Sequence, residues 1–202
     1  MDVGWRFASI ELLEPGKAEL AAFAEGGPVP ARRATVVCFE RSANATHKSV
    51  VSLDDDRVET FEHVPGVQPN FTVDEFYEMD EAMRKHPDVI AALAERGFTD
   101  MDLILIDTWA YAKALMPASV ELARAALRRK EKYPNRRLGW CDLWARATPE
   151  GNPYGHPVSG LQLVVDMNNH ELLEIDNDHS YGQPEVDCEY VPSVRGLSLI
   201  HI

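Results

Sequence analysis

The residues of this chain whose types suit chemistry gather in its last third. His170 and His179 stand near Asp166, Asp176 and Asp178, and imidazole with carboxylate is a donor set that suits a transition metal. Further back, Asp54, Asp55 and Asp56 form a run that invites the same reading, and His156 is flanked by Gly155 and Pro157. Each has a plainer explanation in turn chemistry. Asp and Asn make side-chain turns with their own backbone, and Asp166-Met167-Asn168-Asn169 lies between two apolar runs, as does the triple aspartate. His156, with Pro157 and Gly160 after it, reads as a hydrogen-bonding residue that holds a turn. No G-x-S-x-G elbow and no Cys-His pairing marks a hydrolase. No catalytic residue and no metal ligand is therefore assigned to the chain.

The elements that would position these residues follow from periodicity. Leu161, Leu163 and Val165 alternate with residues of the opposite face, and Leu172, Leu173 and Ile175 return, so Gly160–Ile175 is predicted to be a hairpin. Strands are expected at Arg6–Leu13, Ala34–Phe39, Lys48–Leu53, Val58–Phe61, Asp102–Asp107 and Leu138–Ala147. Ala18–Phe23 suggests a short helical turn before Gly26-Gly27-Pro28. Thr72-Val73-Asp74-Glu75 has capping-box spacing, and Phe76, Met79, Met83, Ile90 and Leu93 then fall on one helical face as core. Pro87 starts a second helical stretch and Gly97 ends it. Pro117–Lys132 has helix composition with a basic C-terminal end. The Val64–Pro69 segment, with two prolines and a glycine, is the expected linker. The fold class is α+β, antiparallel sheets packed on helices.

At 202 residues and 45% apolar composition the chain can bury the cores of two small domains. A formal net charge of -13 argues against a nucleic-acid or anionic-membrane surface. The basic stretch from Arg128 to Arg137 is interleaved with Glu131 and reads as a solvated face. Cys38, Cys141 and Cys188 lack C-x-x-C spacing, and no leader-like or membrane-spanning run is seen, so a cytoplasmic location is expected.

Four segments carry a resemblance. Glu75-Phe76-Tyr77 through Leu93-Ala94-Glu95-Arg96-Gly97 is similar to a helix ending in Leu-x-x-Arg-Gly. Asp107-Thr108-Trp109-Ala110 resembles an Asp-Pro-Trp-Ser motif with Thr in place of Pro. Arg137-Leu138-Gly139-Trp140-Cys141-Asp142 resembles a following strand, and Tyr154–Asp176, with its His-Pro-x-x-Gly-Leu lead-in, a closing hairpin. Together they resemble the third N-terminal domain, N3, of copper amine oxidases, and by order residues 1–66 resemble N2.

The resemblance implies two small cystatin-like domains: an N2-like domain at 1–66 that is N-terminally truncated and lacks its helix, an N3-like domain at 67–185, and a linker remnant and tail at 186–202. The family oxidises primary amines to aldehydes with copper and topaquinone, held in a catalytic β-sandwich and built from an Asn-Tyr motif and His-x-His. Neither motif occurs among these residues. The chain is thus expected to be an inactive N-terminal fragment with no cofactor of its own. Its expected partners are the catalytic sandwich of the parent, a homodimer in the full-length family, and the primary amine. In the family N3 helps line the substrate channel, and the matching positions are Phe76, Trp109 and Tyr154. The competing reading is a stand-alone cystatin-like binding module without catalysis.

Overall fold

Short antiparallel strands joined by Asp- and Asn-rich turns build both halves of the molecule. The structure is a computed structural model that describes residues 4–110 and 121–180, with the side chains of 121–126 outside that description. The chain divides into two compact units between Thr72 and Val73, just beyond the proline-flanked segment expected to link them.

The first unit contains β1 (Trp5–Leu13), α1 (Lys17–Ala24), β2 (Arg33–Glu40), β3 (Ala45–Ser52) and β4 (Arg57–Val64). The strands form one antiparallel sheet in chain order. The triple aspartate is a turn: Asp54 accepts the Arg32 N–H at 2.9 Å, Asp55 accepts the Ser52 hydroxyl at 3.2 Å, and Asp56 has a φ of 49°. The short helical turn expected at Ala18–Phe23 is α1, which follows β1; the helix expected to be missing is a different one, a sheet-packing helix ahead of the first strand. The Glu19 carboxylate accepts the Gly16 N–H at 2.7 Å to start α1, yet no residue of α1 is buried. One sheet face, carrying Phe7, Ile10 and Leu12 from β1 and Val58 and Phe61 from β4, is exposed.

The second unit runs α2 (Val73–Arg84), α3 (Pro87–Ala94), a 3-10 turn at Met101–Leu103, β5 (Ile104–Ala110), α4 (Glu121–Lys132), β6 (Leu138–Ala145), β7 (His156–Asp166) and β8 (Glu171–Asn177). Its four strands again pair antiparallel in chain order. Residues 117–120 of the expected fourth helix, and the tail with Cys188, lie outside the described residues.

His86 and Pro87 divide the helical region. The His86 ring accepts the Asp88 N–H at 3.3 Å and Pro87 takes the first helical position, where it has no N–H to waste. That break resets the helical phase. Met79 and Met83 are core on α2, but α3 buries Val89, Ala92 and Leu93 and leaves Ile90 exposed, so the expectation of one face carrying Ile90 fails. Phe76 is half-buried. Gly97, with a φ of 87°, ends α3 as the sequence suggests, and the Phe98 N–H returns to the Leu93 carbonyl at 3.0 Å.

The core of this unit joins Met79, Met83, Val89 and Leu93 to Ile106, Leu143, Leu163 and Val165 on one sheet face. Three polar devices fix helices to sheet. Asp80 accepts the Ile106 N–H at 2.9 Å, which occupies the free edge of β5. Glu75, expected to cap α2, is 2% exposed and accepts from Arg137, itself 0% exposed, at 2.7 and 3.1 Å. Arg96 donates to the carbonyls of Ser159, Gly160 and Asp178 at 3.4, 3.0 and 3.3 Å.

Candidate functional site

The sheet of the second unit has a second face, away from α2 and α3. Strand alternation places Leu105, Asp107 and Trp109 of β5 there, directly opposite Trp144, Asp142 and Trp140 of β6. The middle row continues from Asp142 to Gln162 of β7 and on to Asp176 of β8. The Gln162 amide donates to Asp142 at 3.1 Å. Two tryptophans and two aspartates thus face each other across one strand pair.

A groove of about 570 Å³ opens beside this row, lined by Asp142, Trp144, Pro157, Gln162, Asp176 and Asp178 among others. Its origin is a bulge. Asp142 pairs with Gln162 while Trp144 pairs with Pro157, so β7 carries extra residues opposite Leu143. Gly160 sits in the bulge with a φ of 71°, where a side chain would be strained. Arg96 holds the bulge open through its carbonyls, which gives the Leu-x-x-Arg-Gly pattern a physical role. His156 is buried at the start of β7 opposite Ala145. It therefore lies in a strand, not in the turn expected of it.

Asp107 is the electrostatic centre of the face. It is 7% exposed, and burial pushes its carboxyl up from the ordinary range, as does the charge of Asp142 across the strand pair. A hydrogen bond with the Trp109 side chain pulls the other way. Tyr154, in the loop before β7, packs its ring at 70° to that of Trp144 with centroids 5.3 Å apart. Its phenol is pushed up by burial and by the charge of Asp107. Trp109 and Tyr154 are both half exposed, at 52% and 50%. Phe76 lies one turn before Asp80 on α2, the residue that binds the β5 edge, so its helix runs along the strand that carries Trp109. The structure thus gathers Trp109 and Tyr154 about Asp107. Sequence reasoning missed Asp107, Asp142 and Trp144; the shared alternation of Asp-Thr-Trp and Trp-Cys-Asp-Leu-Trp was the available signal.

The histidine and aspartate cluster near the last hairpin disperses. His170 faces Glu78 at 3.3 Å, and His179 faces Glu95 at 3.3 Å. Asp166 accepts from Arg136 at 2.6 Å, from the Asn168 N–H and from the Asn169 amide. The basic stretch is not simply a solvated face either. Arg129, Lys132 and Tyr133 converge on Glu174 at 2.9, 2.6 and 3.0 Å. Burial would raise that carboxyl, but the three donors outweigh it and hold it at about 2.

Residues 4–63 match the N2 domain of copper amine oxidases and residues 74–189 match the N3 domain. The chain belongs to the copper amine oxidase family. It is 31% identical over 193 residues to the primary amine oxidase of Arthrobacter sp. (strain P1), covering 95% of this chain and 27% of that protein. It is 24% identical to the peroxisomal copper-containing diamine oxidase 1 of Nicotiana tabacum, covering 91% of this chain and 26% of that one. Against histamine oxidase of Arthrobacter globiformis the identity is 26%, over 95% of this chain and 26% of the relative. The fold is that of a copper-containing benzylamine oxidase from Hansenula polymorpha over 98% of this chain and 31% of that one, with a TM-score of 0.63 at 19% identity. The chain thus spans about a quarter of the length of such relatives. Copper and topaquinone serve the family, but among the described residues no group of three or more His, Cys, Asp or Glu is placed to hold a metal. The residues described here do not fit the family's copper centre. Phe76, Trp109 and Tyr154 all fall within the N3 match.

Proposed function

We propose that these residues are the N2 and N3 part of a copper-containing primary-amine oxidase, whose reaction converts a primary amine, dioxygen and water to aldehyde, ammonia and hydrogen peroxide. The observation that carries this reading is the consecutive match to both domains over a chain that spans only 27% of a family member. Within it, Phe76, Trp109 and Tyr154 form part of the wall of the amine's entry channel. Asp107 and Asp142 give that wall negative charge, and a primary amine is protonated in neutral water, so its approach is favoured there. Chemistry belongs to a β-sandwich partner that also supplies the homodimer contact, and the protein acts in the cytoplasm.

The test uses the 202-residue chain alone and the same chain joined to the catalytic part of a family member. Peroxide release from methylamine is expected only in the joined protein. Trp109→Ala and Tyr154→Ala there change KM more than kcat, because they touch the substrate on its way in. Copper-dependent turnover by the chain alone would overturn the reading, and wild-type KM in both variants would remove the channel role.

A further inference from the structure

On the first sheet the strand register sets His47 and His63 side by side on β3 and β4. His47 and His63 are a directly opposed cross-strand pair whose ring centroids lie 5.3 Å apart. We propose that His47 and His63 form a two-histidine chelate for a divalent transition-metal ion that prefers imidazole, such as copper(II), nickel(II) or zinc(II).

Geometry is the first support. An ion bonded to an imidazole nitrogen at about 2.0–2.1 Å lies about 3.2 Å from the ring centroid, so two rings on one ion at a tetrahedral angle have centroids about 5.2 Å apart. The observed centroid separation of 5.3 Å, with the ring planes at 42°, matches that distance. An unused ligand atom is the second. Nδ1 of His47 is buried and has no hydrogen-bond partner among the described residues, a state that costs free energy and that coordination would relieve.

Pre-organisation is the third support. The His47 ring stacks on Phe61 with centroids 4.8 Å apart and planes at 17°, and Trp5 packs on it at 5.3 Å. Its orientation is therefore set before any ion arrives, which lowers the ordering cost of binding. His63 stands on the exposed edge strand and gives access. Among the described residues no third His, Cys, Asp or Glu converges with the pair, so water completes the ion's coordination. Such a site exchanges its metal and selects against calcium and magnesium, which take oxygen ligands.

The experiment titrates the 202-residue chain with copper(II), nickel(II) and magnesium, by calorimetry and by NMR of the imidazole and Trp5 indole signals. One saturable site is expected for copper, tighter than for nickel, with no response to magnesium. The signals of His47, His63 and Trp5 broaden first. His63→Gln, at an exposed position, weakens copper by at least about tenfold because a chelate becomes a single-ligand contact. His47→Gln does the same, and circular dichroism confirms that both variants fold. His179→Gln, the control at another exposed histidine, leaves affinity unchanged. Equal copper affinity in wild type and His63→Gln, or first broadening at His170 or His179, would overturn the proposal.

Discussion

Arg137→Met tests how the second unit is held together. The guanidinium is 0% exposed and its partner Glu75 is 2% exposed, joined by a two-pronged contact at 2.7 and 3.1 Å. Water cannot replace either charge, so the small values typical of surface pairs do not apply. Removing Arg137 leaves the Glu75 carboxylate buried without its cation, which costs about 3–5 kcal/mol. For a unit of this size that loss lowers Tm by about 10–20 °C. A double change, Glu75→Leu with Arg137→Met, removes both charges and is expected to recover most of the loss, since a buried pair replaced by apolar groups is often neutral. Urea denaturation of wild type, both single variants and the double variant completes a mutant cycle. A loss below about 1 kcal/mol in Arg137→Met, or a double variant as unstable as the two single losses added, would refute the argument.

Asp107→Asn is expected to stabilise the protein at neutral pH by up to about 1 kcal/mol, because it removes a like-charge pair directly across two strands. The Asp107 pKa is raised on folding, so its stability contribution is fully present below the unfolded carboxylate range and lost as pH rises through the folded value. The gain in Tm from the substitution therefore fades on acidification, and a gain that persists at pH 3 would contradict this. Glu174 behaves oppositely. Its folded value of about 2 means stability present above the unfolded range near pH 4 and lost as pH falls from there towards 2. Amide exchange in α4 and β8 should rise over that window, and Glu174→Gln should show the faster exchange already at neutral pH. Gly139→Ala should destabilise by about 1–3 kcal/mol through overpacking, since a methyl there meets Thr108 at 2.9 Å, Met167 at 3.1 Å and Val165 at 3.2 Å; an unchanged Tm would show that the strand yields freely.

The fold was legible wherever one face of an element is buried. Leu161, Leu163 and Val165 announce β7 because strand alternation and burial coincide there. Thr72-x-x-Glu75 marked the region where a helix begins, but not that Glu75 would be buried against a residue 62 positions away, because sequence spacing carries no information about such partners. Ile90 misled for a local reason, the new phase begun at Pro87. At the candidate site, Trp109 and Tyr154 came from the family resemblance. Asp107 and Asp142 did not, because a pair of opposed acids is created by register, and register between β5 and β6 is separated in sequence by α4.

That opposed pair is also what separates the two faces of the second sheet. On the helix side every special polar group has a structural partner: Asp80 takes the β5 edge, Glu75 takes Arg137, and Arg96 takes the bulge carbonyls. On the other face Asp107 and Asp142 lie opposite one another, and among the described residues neither forms an ion pair with Lys or Arg. A sheet selected for stability alone would separate these charges or place a cation between them, as happens at Glu174 with Arg129 and Lys132. Gln162 donates to Asp142 and the Trp109 side chain to Asp107, but among the described residues no cation offsets the repulsion of the two acids beside Trp109, Trp144 and a half-exposed Tyr154. Such a local conflict between folding and charge is where function is expected to reside. On the reading proposed above, a protonated amine passing this face supplies that positive charge transiently, so Asp107→Asn, which gains stability by removing the like-charge pair, is proposed to weaken the approach of substrate in the joined enzyme.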